Sequence, residues 1–164
     1  MNSGAAHSPP HVGVAGPAEA GVRETALARE VGALLGRRGA VVFCGGLGGV
    51  MEACAEGAAA AGGTVVGLLP GLDRASGNRY LTVAVATGLG ELRNGLLVNS
   101  CDALIAVGGS WGTLSEVALA LRAGKRVAVL AGWSVPTEAL ASPGTALLAE
   151  VATPAEAVAH VLTR

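Results

Sequence analysis

Aromatic side chains are almost absent from this chain: two Trp, one Tyr and one Phe in 164 residues. That scarcity argues against the stacking platform of single-strand-binding proteins. Charge is scarce as well, at 14% of residues with a net charge of −1 and no basic tract, so no nucleic-acid partner is expected. No uninterrupted apolar run of about 18 residues occurs, which leaves no candidate for a membrane span. The opening residues, MNSGAAHSPP, have neither a basic n-region nor an apolar h-region. Residues 1–10 therefore read as a disordered tail rather than a secretory signal. Cys44, Cys54 and Cys101 are odd in number, widely spaced and set among apolar residues, as expected of core thiols in a reducing cytoplasm. His7, His11 and His160 have no Cys or carboxylate at ligand spacing, so no metal site is expected.

What remains is an apolar, glycine-rich chain: 51% hydrophobic, with 26 Gly. Residues 11–164 are long enough for one domain with a real core. Short apolar runs at His11–Ala15, Ala40–Phe43, Thr64–Leu69, Leu81–Ala86, Ala103–Val107 and Arg126–Leu130 read as strands. Helical spacing fills Glu19–Arg38, Val50–Ala61, Gly88–Ser100, residues 111–123 and Pro154–Leu162, the last opening on a proline. The alternation of β and α, with strands lacking polar alternation, predicts a doubly wound parallel sheet with helices on both faces. Ligands of such α/β sheets lie beyond the carboxyl ends of the strands. Residues 16–17, 44–49, 70–80 and 108–113 should all crowd that edge, with the polar stretch 70–80 the best candidate for a mobile loop.

Two of these segments carry the functional signal. In residues 103–124 a buried strand turns through Gly108, Gly109 and Ser110 directly into a helix opening with Trp111-Gly112-Thr113. Free backbone N–H groups at the positive end of that helix make an anion site, and Glu116 lies one turn inside it. Cys44-Gly45-Gly46-Leu47-Gly48-Gly49 forms a second turn of the same kind before the helix at Val50. Neither matches the standard P-loop or GxGxxG spacings. Two such turns meeting at one edge favour a nucleotide or phosphate ligand over coincidental packing.

The motifs resemble those of the LOG (Lonely Guy) family. GGLGGVM at 45–51 is similar to that family's GGxxGxM turn, and GSWGTLSE at 109–116 to its PGGxGTxxE signature. Arg93, nine residues before Asp102, is similar in position to the family's catalytic arginine. GNRYLTVAVATG at 77–88 looks closer to a compact subgroup of Rossmann-like nucleotide-binding proteins that includes the molybdenum cofactor carrier protein. There are two departures. Gly108-Gly109-Ser110 stands in place of Pro-Gly-Gly, and Gly90-Glu91-Leu92-Arg93-Asn94 in place of Met-His-x-Arg-Lys. The second change removes neighbours that would shape a purine pocket and argues against a cytokinin substrate.

The resemblance implies a nucleoside 5′-monophosphate phosphoribohydrolase, which releases free base and ribose 5-phosphate without cofactor or metal. Gly109, Ser110, Gly112 and Thr113 would hold the phosphate, and Gly45, Gly46 and Gly49 would let backbone approach the ribose phosphate. Glu116 would stabilise positive charge on the ribose, as in glycoside hydrolysis. Arg93 would pair with the phosphate or hold Glu116. The alternative is a non-catalytic carrier of a nucleotide or of molybdenum cofactor. A lysine decarboxylase is excluded, because the only lysine, Lys125, belongs at the opposite edge of the sheet. A homodimer or higher homo-oligomer is expected from helix 111–123, which is apolar on more than one face.

Overall fold

A computed structural model describes residues 8–134 and 147–163. The elements run β1 (His11–Ala15), α1 (Val22–Arg37), β2 (Val41–Cys44), α2 (Val50–Ala60), β3 (Thr64–Leu69) and β4 (Val83–Ala86). They continue with α3 (Arg93–Ser100), β5 (Ala103–Val107), α4 (Trp111–Arg122), β6 (Arg126–Leu130), β7 (Leu148–Val151) and α5 (Pro154–Leu162). Strand order is β4-β3-β2-β1-β5-β6-β7, with every neighbouring pair parallel. The chain builds outward from β1 through β2 and β3 to β4, and α3 then returns it to β5 on the other side of β1. The order reverses between β1 and β5, which is where ligands of this architecture lie.

Alternate strand residues divide the core into two layers. Val12 and Val14 of β1, with Ile105 and Val107 of β5, pack with residues of α1, α2 and α5. Ala15, Leu104 and Ala106 face the other way onto Leu97 and Val98 of α3 and Val117 and Ala120 of α4. The doubly wound parallel sheet with helices on both faces is therefore as expected. Among the described residues no helix is long and apolar enough to cross a membrane.

The differences from expectation have local causes. The segment expected as one helix over Gly88–Ser100 is a 3-10 turn at Gly90–Leu92 followed by α3. Gly88 and Gly90 both have positive φ, at 65° and 56°, so right-handed helix cannot run continuously through this segment from Gly88. β7 is an additional strand at the edge, half-buried where the other strands beyond β1 are buried. Of the expected tail, residues 1–7 lie outside the described residues, while the Pro10 carbonyl accepts the amide of Val41 at 2.9 Å.

Candidate functional site

The carboxyl ends of β1, β2, β3 and β5 enclose a cleft of about 270 Å³. The wall after β5 is built by the second glycine turn. Gly108 takes φ 68°, which turns the chain out of the sheet, and Ser110 then caps α4. The Ser110 hydroxyl accepts the Thr113 amide at 3.2 Å and lies 2.9 Å from the Thr113 hydroxyl. The amides of Trp111 and Gly112, at the start of α4, precede the first intrahelical donor and are the donors available to an anion. Gly112 has no packing reason to be glycine: a Cβ there would meet nothing nearer than Ser110 Oγ at 3.8 Å. Ser110, Gly112, Thr113 and Glu116 all line the cleft.

Arg93 opens α3 and reaches across to the first glycine turn. A Cβ on Gly45 would lie 2.6 Å from Arg93 Nη2 and from Met51 Sδ, so the missing side chain is what seats the guanidinium. Arg93 Nε is buried with no acceptor among the described residues. α3 itself sits low on the sheet because Gly13 leaves space for Leu97. Its far end is secured by Lys125, whose ammonium donates to the carbonyls of Val98 and Cys101. That places the lysine at the amino edge of the sheet, away from the cleft.

Glu116 is 6% exposed. Burial raises its carboxyl from 4.5 to about 7, and the positive charge of Arg93 opposes part of that rise. A group near 7 exchanges its proton at neutral pH, which suits acid–base or charge-stabilising work. Cys44 lies close by but is fully buried, and loss of hydration raises its thiol to about 11. It stays protonated and is no nucleophile.

The structure thus brings together Gly45, Arg93, Ser110, Gly112, Thr113 and Glu116. Gly46, Gly49 and Gly109 do not line the cleft. Gly46 packs against Gly67 and Leu69, Gly49 against the carbonyl of Ala18, and Gly109 under the ring of Trp133, 2.9 Å from where its Cβ would be. The loop over 70–80 is fastened rather than free: the Asn78 amide nitrogen donates to the carbonyls of Gly46 at 3.3 Å and Leu47 at 3.0 Å. The segment Gly16-Pro17-Ala18 also lines the cleft, through backbone and a proline ring, and so gave no side-chain signal.

A protein from Archaeoglobus fulgidus described as uncharacterized is 47% identical over 119 residues, which cover 73% of this chain and 78% of that one. The molybdenum cofactor binding protein of Rippkaea orientalis has the same fold, with a TM-score of 0.85 and 34% identity over 96% of this chain and 99% of that chain. The molybdenum cofactor carrier protein of Chlamydomonas reinhardtii matches with a TM-score of 0.85 and 34% identity, covering 94% and 96%. These likenesses extend over the cleft and the sheet that supports it, and the chain belongs to the SLOG cluster4 family, whose model matches residues 9–158.

Proposed function

We propose that the cleft binds a phosphorylated cofactor of the pterin or nucleotide class and that the chain serves as its carrier. The observation that carries this reading is the 34% identity, over nearly the whole of both chains, to a molybdenum cofactor binding protein. The cleft supports it. Ser110, Gly112 and Thr113 offer amides and hydroxyls to a phosphate, and the Arg93 side chain, which lines the same cleft, can pair with it. Among the described residues no group of three or more His, Cys, Asp or Glu could hold a metal ion.

A second reading, hydrolysis of a nucleoside monophosphate, is favoured by Glu116 alone. A carboxylate that ionises near 7 beside an arginine can stabilise the positive charge that forms on ribose when the N-glycosidic bond breaks. One experiment separates the two. The protein and a Glu116→Gln variant are incubated with AMP, GMP, CMP, UMP and a pterin monophosphate, and both binding and free base are measured. The carrier reading expects binding without release, in both proteins. Free base formed by the wild type but not the variant, with a rate that rises through about pH 7, would replace it with the hydrolase.

Either reading includes a homodimer. Leu92, Leu96 and Trp111 are exposed on the α3–α4 face, at 79%, 40% and 83%. They flank Gly95, where a Cβ would have no neighbour within 4 Å, so another surface can approach closely. Light scattering at micromolar concentration should give twice the chain mass, and Leu92→Asp should return it to the monomer.

A further inference from the structure

One charged side chain of the cleft is given no task by the reading above. Glu91 occupies the 3-10 turn immediately before Arg93 and lines the same cleft. It forms no ion pair with any described residue. Its turn is fixed in place: Gly90, at φ 56°, donates its amide to the Pro70 carbonyl at 3.0 Å. Pro70 follows β3, and Ser110 follows β5, with β2 and β1 between those strands. The cleft that Glu91 and Ser110 both line holds about 270 Å³, room for a phosphorylated ring compound of nucleotide size.

A carboxylate on the rim of an anion site opposes the anion unless it meets donors on the same ligand. A carboxylate is acceptor-only, and its two oxygens match a pair of adjacent N–H groups, as they do in arginine pairs. We infer that Glu91 is a specificity-determining residue that accepts two hydrogen bonds from the ring N–H and amino group of a 2-amino-4-oxopyrimidine, while the ligand's phosphate lies at α4. That edge is shared by guanine and pterin. Adenine offers a ring nitrogen acceptor beside its amino group and repels the second oxygen. Hypoxanthine offers the ring N–H without the amino group. This assignment rests on the cleft being a phosphate-ligand site and names the ring it takes.

The test is calorimetric titration of the wild type, Glu91→Gln and Glu91→Ala with GMP, IMP, AMP and 6-hydroxymethylpterin monophosphate. GMP or the pterin should bind the wild type at least about tenfold more tightly than IMP, the value of one charge-assisted hydrogen bond. Whichever of the two binds more tightly identifies the source of the edge. Both variants should lose that preference and keep their affinity for IMP. Equal affinities in the wild type, or a preference that survives both substitutions, overturns the role of Glu91 while leaving the cleft in place. Failure of all four ligands to bind the wild type removes the cleft reading and this assignment together. Glu91 is exposed, so unchanged melting temperatures should accompany the binding changes.

Discussion

The two glycine turns look alike in sequence and serve different ends. In the turn after β2, glycines are there for the protein: Gly46 and Gly49 have φ of 76° and 62° and sit against neighbouring backbone and side chains. In the turn after β5, Gly108 shapes the bend and Gly109 makes room for Trp133, but Gly112 touches nothing. Glycine inside a helix costs about 1 kcal/mol relative to alanine. A glycine kept at that cost, with empty space facing a cleft, points to something outside the chain that approaches its backbone. The first turn is a joint and the second a docking point, and packing alone tells them apart.

Substitutions should separate the two turns, beginning with the strongest effect. Gly49 has φ 62° and ψ −127°, a region that other residues scarcely enter, and its Cβ would lie 2.6 Å from the Ala18 carbonyl carbon. Gly49→Ala should cost about 4 kcal/mol, combining backbone strain with overpacking, and lower the melting temperature by about 10 °C. Should its stability instead match the wild type, the joint reading of that turn is wrong.

Glu116, inside the helix opened by the second turn, has the opposite signature. Its carboxyl rises from 4.5 to about 7 on folding, so between those values the native state holds more protons than the unfolded one. Stability contributed at low pH is therefore lost as pH rises through that window, by about 3 kcal/mol at about 1.4 kcal/mol per pH unit. Denaturant titrations should show Glu116→Gln more stable than wild type at pH 8 by up to that amount, and no more stable at pH 4.

Smaller effects follow at the start of α4. Ser110→Ala removes the cap on the Thr113 amide and should cost about 1 kcal/mol. Gly112→Ala should do the reverse, adding about 0.5–1 kcal/mol of stability by helix propensity. It should also weaken phosphate binding by about tenfold or more, because the new methyl group stands where the ligand approaches. A stabilised Gly112→Ala protein that binds as well as wild type would remove the distinction between the turns.

Much of this was legible in the residues. Val12, Val14, Ile105 and Val107 belong to apolar runs too short for helices, and the parallel, doubly wound sheet follows from the alternation of β and α. Leu148–Val151 was not legible as a strand, because a half-buried edge strand lacks the apolar continuity of β5 or β6. The split of the expected 88–100 helix depended on the sign of φ at two glycines, which sequence does not reveal. In the site, Arg93, Ser110 and Glu116 stand in recognisable motifs. Asn78 does not: its bonds to the carbonyls of Gly46 and Leu47 join segments some thirty residues apart and leave no periodic trace.

Lys125 carries a consequence of a mechanical kind. It clamps the carbonyl end of α3 at the opposite side of the sheet, while Arg93 stands at that helix's other end, over the cleft. Eight residues make a lever of about 12 Å, and a swing of about 5° around the clamp moves its tip by about 1 Å. Displacements of that size decide whether a catalytic or binding group is in reach. The chain's only lysine touches no part of the cleft, yet it anchors the far end of the helix that carries the arginine.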